Sequence, residues 1–169
     1  FACAATGLAG PVIVALPEDM LLDPASAAAV PLPMPQPPAP DAEVVRRTAR
    51  ALMAAQRPLA IVGSGLEQEH AGLLAAVSDA YGLPVATDWK QQHLFPNRHP
   101  HYAGHLGYNI PARHLETLAP AEPVRVSCTR RGYVTTQGYR LPLAPAPAQP
   151  LIHVHPAVEA LDRVYQSTE

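Results

Sequence analysis

Apolar runs alternate with segments of helical periodicity beyond the first forty residues of the chain. Val45, Ala49 and Leu52 recur on one face of a segment that we predict to be a helix over residues 41–56. Residues 58–62 then form an apolar run that is too short for a helix, which predicts a strand buried on both faces of a parallel sheet. The alternating part of the chain therefore begins with a helix and a buried strand.

A second helical segment follows over roughly residues 67–81 and is predicted to end at Gly82. Its inward face is predicted to carry Leu73, Leu74, Val77 and Tyr81. Residues 85–87 give a second short strand, so the segment from 58 to 87 forms one strand, helix and strand unit with a right-handed crossover. This unit is typical of a Rossmann-like fold.

Two further strands are predicted, over residues 124–128 and 151–155. Pro156 is placed in the first turn of a last helix, whose apolar positions are Val158, Leu161 and Val164. Alternating strands and helices predict an α/β fold, a doubly wound parallel sheet flanked by helices. In such sheets ligands bind outside the carboxyl ends of the strands.

The first forty residues have a different pattern. Residues 12–16 form an apolar run between prolines, which we predict to be a strand left over from a preceding domain, with Phe1 at a cut site rather than a natural start. Residues 23–40 are rich in proline, and the stretch 31–40 is expected to run as an extended strap. The predicted organisation is therefore a remnant over residues 1–22, a Pro-rich linker over 23–40 and an α/β domain over 41–169.

Composition and charge exclude some classes of binding partner and indicate the redox environment. The 169 residues carry a formal charge of −2, with one lysine and eleven arginines scattered along the chain, so no basic stripe for a nucleic acid is predicted. No apolar run of about 18 residues indicates a membrane span. Cys3 and Cys128 lie far apart and outside any metal-ligand spacing, which favours two buried thiols and a reducing cytoplasm.

The order of several motifs resembles one enzyme family. The segments GPVIVALPEDML, RPLAIVGSG, HPHYAGHLGY, VTTQGY and LIHVHPAVEALDRVY follow one another as in thiamine-diphosphate-dependent enzymes of the acetolactate synthase type. The resemblance implies the end of a pyrimidine-binding domain, a linker, and a central domain of the deoxyhypusine-synthase-like NAD/FAD-binding type. In that family one more strand follows the DRVY segment, so we expect a truncated sheet whose edge is covered by residues 12–16 or by a neighbouring copy.

The resemblance also implies a function. The parent enzyme would require thiamine pyrophosphate and Mg²⁺, both bound by other domains, because this chain contains no G-D-G segment. It would act on a 2-oxo acid as a carboligase or decarboxylase. The chain itself, for which we assign no catalytic residue, is expected to be inactive and architectural, with its own flanking thiamine-binding domains as partners in a homo-oligomer.

A nucleotide site is the candidate site within the chain. The Gly63-Ser64-Gly65 turn follows a predicted strand, but Gln68 replaces the third glycine of a dinucleotide fingerprint. Arg130 matches the arginine that lies beside ADP in the FAD-using members of the resembled family, although Cys128 stands where that family has glycine. The cofactor-binding candidates, expected after strand ends, are Gly63, Ser64, Gly65, Thr87, Gly104, His105, Thr129 and Arg130.

Other functions are weighed beside this one. His93, His99, His101 and His105 are close in sequence, but without paired helical spacing or a neighbouring carboxylate they do not predict a metal site. An alternative is a stand-alone nucleotide- or NAD-binding module, which predicts affinity for FAD, ADP or NAD. A third hypothesis is an interaction domain whose Pro-rich strap recruits a partner.

Overall fold

Five short strands form one parallel sheet in the computed structural model, which describes residues 2–5, 7–28, 30–31, 38–118, 125–148 and 150–168. The strands are β1 Leu59–Val62, β2 Val85–Thr87, β3 Tyr102–His105, β4 Arg125–Cys128 and β5 Leu151–His153. Their order across the sheet is β3-β2-β1-β4-β5, and every neighbouring pair is parallel. This is the order of a doubly wound sheet, so the predicted fold class is confirmed.

Four α-helices accompany the sheet in the described residues: α1 Ala2–Ala5, α2 Ala42–Ala54, α3 Ala71–Tyr81 and α4 Ala112–Leu118. Single 3₁₀ turns lie at Glu18–Leu22, Gln68–His70, Gln92–Leu94 and Val158–Ala160. None of these helices is long and apolar enough to traverse a bilayer.

The central strand β1 is buried on both faces, as its continuous apolar sequence predicts. Ala60 and Val62 pack into one core with Leu52 of α2 and Phe95, whereas Leu59 and Ile61 pack into a second core. All four β1 side chains are at most 2% exposed. Alternation along one strand thus separates two apolar layers.

Both helix ends that the sequence predicts around this sheet are present. Asp41 is the N-cap of α2, since its Oδ1 accepts hydrogen bonds from the backbone N–H groups of Glu43 at 2.7 Å and Val44 at 3.4 Å. Gly82 ends α3 in the left-handed conformation, with a φ of 56°.

The predicted inward faces of the two helices were partly wrong. Leu73 is 65% exposed and Val77 is 40% exposed, while Ser78 is fully buried and Leu74 and Tyr81 pack against the core. The inward face of α3 is therefore rotated by about one residue from the predicted one, or about 100°. Leu52 of α2 is buried as predicted, but Val45 is half exposed.

The two ends of the chain also differ from the prediction. Residues 12–16 form no strand and are exposed, with Ile13 at 95%, so they do not cover the edge of the sheet. That edge, at β5, instead meets the chain's own last residues, because the Thr168 N–H donates to the Leu151 carbonyl at 2.8 Å. Most of the predicted polyproline strap, residues 32–37, lies outside the described residues.

The predicted helix after Pro156 is absent. Only the 3₁₀ turn at Val158–Ala160 forms, because Leu161 is extended and Asp162 adopts a left-handed φ of 50°. Both the N–H and the hydroxyl of Ser167 donate to the Asp162 carboxylate, which holds the chain in this irregular course. Tyr165 is buried at 1% exposure, and its hydroxyl donates to the Pro142 carbonyl in the segment between β4 and β5.

Candidate functional site

The Gly63-Ser64-Gly65 turn lies at the carboxyl end of β1 and packs against the end of β4. The N–H groups of Gly63 and Gly65 both donate to the Cys128 carbonyl, at 3.2 and 3.0 Å. A Cβ added at Gly63 would lie 2.7 Å from Cβ of Thr129, and one at Gly65 would lie 2.8 Å from the Cys128 carbonyl oxygen. Glycine is needed here because the ends of two neighbouring strands approach closely.

The relation of this turn to α3 differs from that in a dinucleotide fingerprint. A fingerprint turn opens directly into a helix whose free N–H groups face the phosphates. Here the 3₁₀ turn at Gln68–His70 intervenes and α3 begins only at Ala71. With the amides of Gly63 and Gly65 already bonded, the turn offers no such cradle.

A carboxylate occupies the middle of the sheet's carboxyl edge. Asp88, directly after β2, accepts hydrogen bonds from the hydroxyls of Thr129 and Thr135 and from the Trp89 N–H. Thr129 and Thr135 are buried, at 1% and 4% exposure. This cluster joins β2 to the segment after β4 and places a carboxylate, already engaged by protein groups, at the edge where ligands bind in such sheets.

A cavity of about 610 Å³ opens beside this cluster. Three of the predicted site residues, Ser64, Thr129 and Arg130, line it. Its wall also carries residues that the sequence had not singled out, chiefly Trp89, Lys90, Arg131, Tyr133, Tyr139 and Arg163. They come from loops far apart in sequence, and no local motif marks them.

The remaining predicted site residues lie elsewhere. Thr87 is fully buried at the end of β2. Gly104 and His105 lie within β3, not on a loop after a strand, and a Cβ on Gly104 would meet the His114 ring of α4 at 2.7 Å. β3 was not predicted because a glycine and a histidine interrupt its apolar pattern. The cofactor-binding role of these residues stays a prediction.

A buried arginine–histidine pair lies beneath the cavity. Arg131 is 3% exposed, and its Nη2 donates to Nδ1 of His153 at 2.7 Å. The other ring nitrogen of His153 donates to the Thr129 carbonyl at 3.0 Å, so the hydrogen-bond pattern assigns a neutral ring with its proton on Nε2. Burial, and then the charge of Arg131, lower the pKa of His153 to about 4. The imidazole is therefore neutral at physiological pH.

The sequence predicted the strand that contains His153, but it gave no indication that Arg131 is buried beside it. His153 lies in the strand predicted over residues 151–155, and both of its ring nitrogens are hydrogen-bonded. His155 lies just past β5 and accepts a hydrogen bond from the Ala157 N–H instead of continuing the strand. Arg131, which follows the predicted site residue Arg130, is not a solvated loop charge, because its side chain is buried over the Tyr165 ring.

The two cysteines differ in environment. Cys3 is exposed, so the expectation of a buried thiol is wrong there. Burial raises the pKa of the Cys128 thiol to about 11, which keeps it protonated and unreactive at neutral pH.

Two of the clustered histidines lie beside a carboxylate that the sequence had not associated with them. Nε2 of His99 is 3.3 Å, and Nδ1 of His101 is 3.8 Å, from Oδ1 of Asp79. The Ser78 hydroxyl donates to the Leu83 carbonyl, so it accepts from Nδ1 of His101. Nδ1 of His99 accepts the His101 N–H. Both nitrogens facing Asp79 thus carry hydrogens, which makes this a hydrogen-bonded cluster.

Comparison with known proteins gives the family. Residues 45–169 match the model of the thiamine pyrophosphate enzyme, central domain. This chain belongs to the thiamine pyrophosphate enzyme family. It is 31% identical over 145 residues to a sulfoacetaldehyde acetyltransferase from Rhodobacter capsulatus, covering 82% of this chain and 24% of that protein.

A solved structure agrees with this assignment. The chain resembles a putative thiamin diphosphate-dependent enzyme from Mycobacterium smegmatis with a TM-score of 0.56 and 29% identity, over 75% of this chain and 24% of that one. The chain thus spans about a quarter of the length of these relatives. The resemblance to this family is confirmed.

The described residues of this central domain do not fit the diphosphate of thiamine pyrophosphate. Two side-chain groups among the described residues could hold a metal ion: the Asp79, His99 and His101 cluster has one carboxylate, and the exposed Glu67, Glu69 and His70 group has two, whereas Mg²⁺ prefers an octahedral set of oxygen ligands. The N–H groups of Gly63 and Gly65 are bonded to the Cys128 carbonyl and are not free for a diphosphate. Thiamine pyrophosphate therefore has no evident holder among the described residues.

Proposed function

We propose that this chain is the central, non-catalytic domain of a thiamine-pyrophosphate-requiring enzyme that acts on a 2-oxo acid, as a carboligase or decarboxylase. In such an enzyme the cofactor supplies the carbanion chemistry. This domain sets the spacing of the flanking thiamine-binding domains. Support comes from the family membership and from the absence of a G-D-G segment in the sequence.

The observation that carries the architectural role is the closed carboxyl edge of the sheet. The Cys128 carbonyl holds the Gly63 and Gly65 amides, and Thr129 and Thr135 hold the Asp88 carboxylate. Groups that would bind a nucleotide in a dinucleotide domain thus bind each other across strands. This supports a vestigial FAD or ADP site.

The reaction class is supported by the name of a relative. The name of that relative gives an aldehyde, sulfoacetaldehyde, as its substrate, and a 2-oxo acid likewise presents a carbonyl group. The 31% identity covers only this domain, which supplies none of the reacting groups in our proposal. The 2-oxo acid is therefore proposed as a class.

Contacts with the flanking domains, within a cytoplasmic homo-oligomer, complete the proposal. Ile13 and Leu22 are each more than 90% exposed, and Leu16 is 66% exposed. Apolar side chains exposed to this extent along one segment favour burial against another surface. We assign that surface to the thiamine-binding domains of the same protein.

The test compares two proteins at equal molar concentration. The complete reading frame that encodes this chain and the 169-residue chain alone are each supplied with thiamine pyrophosphate, Mg²⁺ and pyruvate, and release of CO₂ is measured. Turnover is expected from the former only. Turnover by the 169-residue chain would contradict its non-catalytic role.

The stand-alone nucleotide module is tested separately. Calorimetric titration of the chain with FAD, ADP and NAD is expected to give no saturable heat, because the turn amides are already bonded. Tight binding of any of the three would replace the vestigial site by a functional one.

A further inference from the structure

The guanidinium of Arg131 is a buried cation whose charge is not balanced locally. Burial lowers its pKa to about 10, so it stays protonated at neutral pH. Its hydrogen-bond partner His153 is neutral. Its Nε and Nη1 atoms are buried without a hydrogen-bond acceptor among the described residues. A buried charge in this state is costly and calls for a partner.

The carboxylate of Asp162 does not supply that partner. Its Oδ1 accepts both the N–H of Ser167 at 2.8 Å and the hydroxyl of Ser167 at 2.6 Å. Asp162 raises the pKa of Arg131 only through its charge. The ring of Tyr165, 4.7 Å from the guanidinium carbon, covers one face of the cation but accepts no formal charge.

The cavity that Arg131 lines carries an excess of positive charge. Lys90, Arg130 and Arg163 are exposed on its wall together with the buried Arg131. Asp88 is the opposing carboxylate of the wall, and its oxygens are already engaged by two threonine hydroxyls and a backbone N–H. Four cationic side chains and one carboxylate, whose oxygens already accept hydrogen bonds, give the cavity a net positive charge that attracts an anion.

The size and lining of the cavity indicate what kind of anion fits. A volume of about 610 Å³ is in the range of small-molecule sites, and Trp89 and Tyr133 offer aromatic surface at its mouth. The glycine turn, whose amides are bonded to Cys128, contributes no phosphate cradle. The cationic side chains, and not the turn, are therefore the groups that would bind the ligand.

We propose that this cavity binds a compact organic oxyanion, a carboxylate or a phosphate ester, with Arg131 as the principal charge, and that it does not bind a dinucleotide. This proposal deepens the proposed function by giving the vestigial nucleotide site a different ligand class. Binding balances the buried charge of Arg131.

The test uses the tryptophan of the cavity as its reporter. Trp89 is the one tryptophan in the sequence, and it is 40% exposed on the cavity wall. Phenyl phosphate and benzoate are titrated separately into the chain while its tryptophan fluorescence is followed, with inorganic phosphate, FAD and ADP in parallel. Saturable change with phenyl phosphate or benzoate is expected, and the tighter of the two identifies the anion as a phosphate or a carboxylate.

Variants assign the binding to Arg131. Arg131→Gln is expected to weaken binding of the organic anion at least tenfold. Arg113→Gln, which removes an exposed arginine of α4 outside the cavity wall, is the matched control and is expected to change the affinity less than twofold. If Arg131→Gln does not fold, Arg163→Gln is the second variant, with an expected weakening of two- to fivefold.

The outcomes separate this proposal from the proposed function. No saturable change with either organic anion, or equal affinity in the Arg131 and Arg113 variants, overturns the oxyanion site and leaves the vestigial nucleotide site standing. Binding of FAD or ADP more tightly than either organic anion overturns both. Selective, Arg131-dependent binding of phenyl phosphate or benzoate supports both.

Discussion

The two halves of the sheet differ in the number of polar side chains that they bury. The first half, residues 59–118 with β1 to β3, contains most of the apolar core, and two of its described polar side chains are buried, Ser78 and Thr87. The second half, residues 125–168 with β4 and β5, buries five: Thr129, Arg131, Thr135, Thr136 and His153. The first half therefore holds most of the buried apolar side chains, while loops of both halves line the cavity.

The connections between strands also differ: one in the first half is a regular helix, whereas the one in the second half is irregular. β1 and β2 are joined through α3, which is the regular unit of a parallel sheet. Between β4 and β5 the described residues contain no helix, and several non-glycine residues there have a positive φ, among them Arg131 and Tyr139. Such conformations are held by tertiary contacts and are typical of functional segments.

Removing a large side chain from the first half is expected to have the greatest effect on stability. Phe95 is 1% exposed and packs against the rings of His99 and Tyr102. Phe95→Ala should lower the free energy of unfolding by about 4 kcal/mol, because the cavity it leaves adds to the lost burial. Urea denaturation measures this. Leu73→Ala, at an exposed position of α3, is the control, and an equal loss in both variants would contradict the assignment of the core.

A methyl group at the contact between the two halves is expected to have the next largest effect. Gly63→Ala places its Cβ 2.7 Å from Thr129 and 2.9 Å from Asp88, so strands must move apart, at a cost of about 2 kcal/mol. Gly72→Ala in α3 meets no atom within 4 Å and should instead stabilise the protein slightly. Thermal denaturation of both variants tests this, and a Gly63 variant as stable as the original protein would show that the close approach is not rigid.

Acid is expected to weaken the polar half selectively. The pKa of His153 is about 4 in the folded protein and near 6.5 when unfolded, so the unfolded state binds a proton first as the pH falls. The stability linked to His153 is complete above pH 6.5 and is lost progressively toward pH 4, by roughly 2 kcal/mol. Urea denaturation at pH 7 and pH 4.5 measures the loss.

A His153→Gln variant separates this residue from the carboxylates that titrate in the same range. Its stability should fall less between the two pH values than that of the original protein. Parallel pH dependence in the two proteins would show that protonation of His153 does not contribute.

The smallest expected effect is at the N-terminus of α2, next to the apolar half. Asp41→Ala removes the acceptor for the Glu43 and Val44 N–H groups and should cost about 1 kcal/mol. Asp41→Asn keeps an oxygen acceptor and is expected to cost much less. A larger loss than that of Gly63→Ala, measured by the same denaturation, would reverse the proposed ranking of local and long-range contacts.

Sequence patterns predicted those features that depend on residues close together in the chain. The burial of β1 on both faces, the cap at Asp41, the helix end at Gly82 and the short β2 follow from periodicity and from single residues that restrict the backbone. The ordered motifs also gave the family, which the match over residues 45–169 confirms. β3 was missed because glycine and histidine interrupt its apolar pattern, and the rotation of α3 was missed because periodicity in a short segment does not fix which face is buried.

The sequence by itself determined the layered α/β class and the family, because those depend on the spacing of apolar side chains and on ordered motifs. The tertiary structure alone decided that Arg131 is buried on neutral His153, that Cys128 holds the glycine turn, and that Asp79 meets two histidines. These contacts join residues 20 to 65 positions apart. The free energy that fixes them comes from desolvation and hydrogen bonding between strand ends, which no local pattern records.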